Sequence, residues 1–200
     1  RGLQPGSAIP SQLRRAFLQY LESARGAPLG QLLHYNSWYD LRNLKAWPNV
    51  RGPVHRMDAA ACVARIKAFN GNLTSRGAGA LDSFMLDDGW DDWNSLWEVS
   101  GKSFPEGFAP LLKQAATAGT RLGLWISPYG GYGTAQGRRL QVGAKEGMER
   151  HPGGGFALAK PRYLARFTGV VLRRLSEGFN LFKFDGLGGG LGKSGAGEFV

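Results

Sequence analysis

Hydrophobic positions along this chain follow two rhythms in turn. In SQLRRAFLQYLESAR, residues 11–25, Leu13, Phe17, Tyr20 and Leu21 repeat at helical spacing behind Ser11, a good capping residue, and Gly26 and Pro28 end the pattern. A short apolar run then sits inside QLLHYNSWYDL and gives way to polar residues. Asp58 caps a second helical pattern, AAACVARIKAFNG, that ends near Gly71. Ser83–Leu86, within DSFMLDDGWDD, reads as a short buried strand. PEGFAPLLKQAATAG reads as a helix stopped by Gly119, and Leu122, Leu124 and Ile126 in TRLGLWISPYGGYG mark the next strand. Pro161 opens a further helix, PRYLARFTGVVLRRLSEG, Gly178 ends it, and FNLFKFD is a last strand. Residues 40–56, 71–80 and the glycine-rich stretch running to about residue 160 read as loops.

Strands therefore alternate with helices, which predicts a parallel sheet. The connections are asymmetric. Helix-to-strand turns are tight, at Gly119–Arg121 and Gly178–Asn180, whereas strand-to-helix segments are long and rich in acids, aromatics and glycines. That asymmetry predicts an α/β fold of the (β/α)8 TIM-barrel kind, with a site at the carboxyl ends of the strands, and an open doubly wound sheet as the other fold that obeys the same rule. About four βα units are present, where a full barrel takes ~250 residues. Residues 1–30 are expected to form an N-terminal helix and linker, and residues 31–200 the first half of a barrel. With no Met at position 1, the chain is expected to be a piece of a longer one.

Composition narrows the classes. At 200 residues with 42% hydrophobic and 12% aromatic content, the chain can bury a core. Its net charge is +10, but Lys and Arg are scattered, with the pairs Arg14-Arg15, Arg138-Arg139 and Arg173-Arg174 far apart, so a solvated arginine-rich surface is expected and no nucleic-acid partner. No apolar run approaches the ~20 residues of a membrane helix, and no membrane partner is expected. Cys62 is the single cysteine, set among alanines as a small core residue. His34, a partly buried strand residue on this reading, His55 and His151 show no metal-ligand spacing, and no metal is expected.

The segment FKFDGLGGGLGKSG, residues 182–195, invites a phosphate-loop reading. With Gly192-Lys193-Ser194 as the end of that motif, its first glycine falls on Leu187; a dinucleotide fingerprint begun at Gly186 places its third glycine on Leu191. Both patterns miss by one. The better constellation is Asp87-Asp88-Gly89-Trp90, Trp125, and Lys183-Phe184-Asp185, each at the end of a different strand. Carboxylates there can accept hydrogen bonds from sugar hydroxyls, and an indole can stack on a pyranose. Lys183 and Asp185, two apart on a strand, share a face, and the ammonium keeps the acid ionised, as a glycosidase nucleophile requires. Singly, each has a structural explanation: Asp87 and Asp88 as caps, Asp91 and Asp92 as caps or solvent-facing acids, Trp93 and Trp97 as core residues on a helical face, Lys183 and Asp185 as an ion pair.

MLDDGW, GLWISP and LFKFDG resemble the strand-end motifs of clan D retaining α-galactosidases, glycoside hydrolase families 27 and 36, and HYNSWYDL resembles the first-strand segment of family 36. The resemblance spans roughly residues 32–190. It implies a (β/α)8 barrel, a carbohydrate substrate carrying a terminal α-galactoside or a related sugar, and no cofactor. It further implies that Asp87, Asp88 and Lys183 contact the sugar, that Trp125, Trp38 and Trp90 wall the pocket, and that Asp185 is the nucleophile. After LWI, where family 36 has Glu, this chain has Ser127-Pro128-Tyr129; after Lys-x-Asp it has Gly186-Leu187-Gly188. N-acetylgalactosamine or another α-sugar thus stays open, as does galactosyl transfer. The resemblance implies an acid/base on a later strand, expected beyond Val200, and Asp91, Asp92, Glu98 and Glu198 are not convincing partners for Asp185. The rival readings are a catalytically incomplete sugar-binding fragment and a phosphate- or nucleotide-binding α/β protein.

Overall fold

Contacts divide the chain into two units, residues 1–32 and 33–200. The computed structural model describes residues 10–26, 28, 30–42 and 55–186. In the first unit, α1 (Pro10–Ala24) forms where the pattern predicts it, and its apolar residues Leu13, Phe17, Tyr20 and Leu21 are exposed. The side chain of Ser11, the expected cap, lies outside the described residues.

The second unit is built on four parallel strands, β1 (His34–Asn36), β4 (Ser83–Leu86), β5 (Arg121–Ile126) and β6 (Phe179–Phe184), adjacent in that order. A separate pair, β2 (Leu41–Arg42) and β3 (His55–Arg56), is also parallel. The crossovers carry α2 (Ala59–Asn72), α3 (Ala109–Thr117), and then α4 (Gly133–Lys145) with α5 (Pro161–Ser176). Chain order equals spatial order across the main sheet. Among the described strands there is no reversal of the kind that defines a doubly wound sheet.

Local chemistry accounts for most of these boundaries. The Asp58 carboxylate accepts the Ala61 N–H at 2.9 Å and starts α2, whose Cys62 and Ile66, four apart, turn inward. Burial pushes the Cys62 thiol up to about 12, with Asp58 and Asp40 adding to it, so this residue is an inert packing group. Gly119 and Gly178 take φ of 67° and 104°, the left-handed exits that lead α3 into β5 and α5 into β6. Every residue of β4 is buried, as a parallel strand covered on both faces must be.

Four expectations are corrected. The stretch between β5 and residue 160 is not one long loop, because α4 forms within it. Its inward stripe is Ala135, Arg139 and Gly143, one charged residue and two small ones, which no hydrophobic period reveals. The third helix starts at Ala109, not near Pro105; Phe104 and Phe108 instead enter the core through a turn, with rings 5.5 Å apart. The segment holding Trp93 and Trp97 is not helical: Asp91 bridges Val99 in antiparallel fashion, and Trp97 is fully buried at a φ of 67°. His34 is exposed at the start of β1 rather than partly buried. Residues 43–54, most of the expected loop 40–56, lie outside the described residues.

The core is aromatic. Trp90, Trp97, Trp125, Phe104, Phe156, Tyr163 and Phe179 are all at most 1% exposed. Trp90 follows β4 and Trp125 belongs to β5, so this aromatic core reaches the segments at the carboxyl ends of both strands.

Candidate functional site

Each strand of the main sheet ends by delivering polar or aromatic groups to one place. After β1, the Asn36 side chain accepts the Trp38 N–H at 2.9 Å and starts a single 3-10 turn, Ser37–Tyr39, that presents Trp38 and buries Ser37. After β4 come Asp87 and Asp88, 2% and 3% exposed. The Asp87 N–H donates to Ser37 Oγ at 2.8 Å, and the Asp88 N–H to Asp87 Oδ1 at 2.8 Å, so the Asp87 carboxylate is held by a short backbone bond. Trp125 of β5 is paired in register with Lys183 of β6. Just past β6, the Asp185 N–H donates to the Ile126 carbonyl at 3.1 Å and extends the ladder to the acid itself.

These groups enclose a cavity of about 290 Å³ lined by Trp38, Asp87, Asp88, Trp125, Tyr132, Lys183 and Asp185. Lys183 Nζ lies 2.9 Å from Asp87 Oδ2 and 4.0 Å from Asp185 Oδ2, so one ammonium serves two acids from different strands. Asp185 accepts three hydrogen bonds. Trp125 Nε1 donates to its Oδ2 at 2.8 Å, the Tyr132 hydroxyl to its Oδ1 at 3.0 Å and the Gly186 N–H to Oδ1 at 2.7 Å. Desolvation works against its charge, but the three donors and Lys183 together outweigh it and hold the carboxyl below the usual carboxylate value. Tyr132 is displaced the opposite way, up to about 12, by burial first and then by its bond to Asp185, so it stays a donor at neutral pH.

Six of the seven residues expected at the site line this cavity: Asp87, Asp88, Trp125, Lys183, Asp185 and Trp38. Trp90 does not. It is fully buried and donates its indole N–H to the Trp125 carbonyl at 2.8 Å, so it props the wall from behind instead of forming it. The acids weighed as a second catalytic carboxyl also fall elsewhere. Asp91 is buried in a two-bond pair with Arg139, at 2.8 Å for each bond. Asp92 caps a surface turn, accepting the Asn94 N–H at 3.0 Å, and Glu98 pairs with Arg173 at 2.8 Å. Glu198 lies outside the described residues, as do Lys193 and Ser194 of the phosphate-loop pattern. Among the described residues, no group of three His, Cys, Asp or Glu side chains is placed to hold a metal ion.

Three participants escape a reading of the sequence. Ser37 is an ordinary serine until β1 and β4 pair. Tyr132 belongs to a glycine-rich segment whose only signal is a tyrosine between glycines, Gly131 and Gly133, at φ of 87° and 52°. Arg139 carries no signal at all, being a charged residue in a weakly periodic helix.

Fold and cavity together define an α/β protein with a parallel sheet and a pocket of acids, one lysine and indoles at the carboxyl ends of its strands. No protein-family model matches the chain, and no curated protein matches it by sequence. Solved structures do match by fold. An α-galactosidase from Lactobacillus brevis superposes with a TM-score of 0.61 at 16% identity, over 90% of this chain and 24% of that one. The α-galactosidase TtGalA from Thermus thermophilus, in complex with p-nitrophenyl α-D-galactopyranoside, gives 0.55 at 16% identity, over 84% and 34%. A variant of the family 36 α-galactosidase AgaA from Geobacillus stearothermophilus, in complex with raffinose, gives 0.52 at 16% identity, over 77% and 21%. The chain thus spans between about a fifth and a third of the length of these enzymes, and shares with them an α-galactosidase-like fold over that part.

Proposed function

We propose that this chain carries the sugar-binding and nucleophile half of a retaining α-glycosidase acting on terminal α-galactosides or a closely related α-sugar. On this reading the four parallel strands are part of a (β/α)8 barrel. Asp87, Asp88 and Lys183 bind hydroxyls of the terminal sugar, and Trp38 and Trp125 form apolar walls against its ring. Asp185 attacks the anomeric carbon, the glycosidic oxygen leaves with its bonding pair, and an ester links Asp185 to the sugar until water releases it. The acid that protonates the leaving oxygen and later activates water is assigned to no described residue. The similarity to α-galactosidases supports the substrate class.

The observation that carries the proposal is the environment of Asp185. Three donors and one ammonium keep it ionised while it faces a cavity of about 290 Å³. A nucleophile needs that negative charge at neutral pH, whereas a general acid needs the reverse.

The test exploits a leaving group that needs no protonation. Incubation of the chain with 2-deoxy-2-fluoro-α-galactosyl fluoride is expected to release the anomeric fluoride and add one 2-deoxy-2-fluorohexosyl mass to the peptide containing Asp185. Asp185→Asn abolishes the adduct while leaving galactose binding within a few-fold. A parent chain that neither binds galactose nor forms an adduct rules the reading out. One that binds galactose but is never labelled is the sugar-binding protein without the chemistry.

A further inference from the structure

Beneath the cavity sits a second charged cluster. Arg139, on the inward face of α4, is fully buried. Its Nε and one terminal nitrogen each bond an oxygen of Asp91 at 2.8 Å, and its other terminal nitrogen donates to the Gly130 carbonyl at 2.9 Å. The Asp91 side chain is itself fully buried. The guanidinium lies over the Trp97 ring, 4.2 Å from its centroid. It approaches Gly131 so closely that a Cβ there would stand 2.6 Å from one of its nitrogens. Four interactions therefore fix this cation in one orientation, and in that orientation the nitrogen shared with Asp91 stands 3.6 Å from Asp88 Oδ1.

A buried guanidinium is normally matched by one carboxylate, and Asp91 fills that role with the planar two-bond geometry that suits it. The second carboxylate within reach is the one at the cavity. We propose that Arg139 is a positioning residue for Asp88: it supplies the positive charge beneath that carboxylate and holds it aimed into the cavity, while its bond to Gly130 sets the turn that carries Tyr132. One cation thereby couples the loop after β4 to the loop after β5. The inference rests on the proposed sugar-binding role of Asp88, and adds that Arg139 contributes to the orientation of its carboxylate. The division of labour is spatial. Lys183 neutralises Asp87 and Asp185 from the cavity side, and Arg139 serves Asp88 from the core side.

Removing Arg139 alone strands Asp91 as a buried charge and risks the fold, so the informative variant is the pair Arg139→Met with Asp91→Leu, which replaces both ends by apolar groups of similar size. Arg139→Lys keeps the charge and loses the planar fork. Binding of galactose and of its singly deoxygenated analogues to the intact chain is measured by calorimetry. In the parent, the analogue lacking the hydroxyl held by Asp88 binds about ten- to hundredfold more weakly than galactose, the worth of a hydrogen bond to a charged group. In the paired variant that one penalty collapses to about twofold while the penalties at the other hydroxyls persist, and Arg139→Lys falls between. Equal weakening of every analogue, or unchanged penalties throughout, overturns the proposal in favour of a purely structural ion pair. A crystal structure of the paired variant gives a reading independent of sugar. If the parent binds no galactoside, the functional proposal fails by itself, and an Asp88 carboxylate that has turned away from the cavity still upholds the positioning role, whereas an unmoved one ends it.

Discussion

Replacing Lys183 with Met removes one charge and nearly preserves the stem of the side chain. In the parent the ammonium sits 2.9 Å from Asp87 and 4.0 Å from Asp185. A unit pair at 4 Å interacts by about 4 kcal/mol at an effective dielectric constant of about 20, but by only about 1 kcal/mol in water. Lys183 is 37% exposed, so solvent screens it substantially, whereas the Asp87 side chain is 2% exposed and cannot turn to water when its partner is lost. The balance is a destabilisation of about 1–3 kcal/mol at neutral pH, above a surface pair and below a fully buried one. Its pH dependence is the sharper test. The folded-state pKa of Asp185 is depressed, so its contribution to stability is present above the unfolded-state value and is lost as pH falls through the folded-state value. Lys183→Met weakens that depression. The deficit relative to the parent is therefore full at neutral pH and shrinks as Asp185 takes up its proton. Urea unfolding followed by tryptophan fluorescence at neutral and strongly acid pH measures both. A deficit of the same size at both pH values would show that the lysine acts through packing and not charge, and the electrostatic account of the site would fall with it.

Tyr132→Phe removes one of the donors on Asp185, leaving Trp125, Gly186 and Lys183 in place. The midpoint at which the Asp185 carboxyl ionises is expected to rise from its parent value, read from the carboxyl carbon by NMR, and an unchanged midpoint would remove Tyr132 from the site. Gly143→Ala sets two effects against each other. Alanine in a helix interior gains about 1 kcal/mol over glycine, but the new Cβ would overlap Cε1 and stand 2.8 Å from Cζ of Phe156, a fully buried ring stacked on Tyr163 at 4.1 Å. Overpacking of about 1–3 kcal/mol wins, so the variant unfolds at lower urea concentration; a more stable variant refutes the packing described for α4.

Asp58, Pro161, Gly119 and Gly178 announce their helix ends because each acts through bonds or backbone angles within a few residues of itself. β4 is legible because a fully buried strand needs an unbroken apolar run, and Ser83–Leu86 is nearly that. The segments DDGW and KFD mark strand ends because each clusters acids directly behind a short apolar run, and carboxylates have no cheap place in a core without partners. α4 was missed for the converse reason: the face it buries is built from alanine, arginine and glycine, and that choice makes sense only against Phe156 and Asp91, which come from other parts of the chain.

The sequence by itself therefore determined the alternation of strands and helices, the parallel sheet it requires, and six of the groups that line the cavity, since these follow from local periodicity and from chemistry clustered at segment ends. Only the tertiary structure decided which of those groups face one another. It turned Trp90 from wall to support, brought Tyr132 onto Asp185, gave one ammonium two acids to serve, and placed a buried guanidinium behind Asp88. The Lys183–Asp185 contact is local, but the others join residues 35 to 96 positions apart, and no pattern read along the chain encodes the distance between atoms that meet only after the strands have paired.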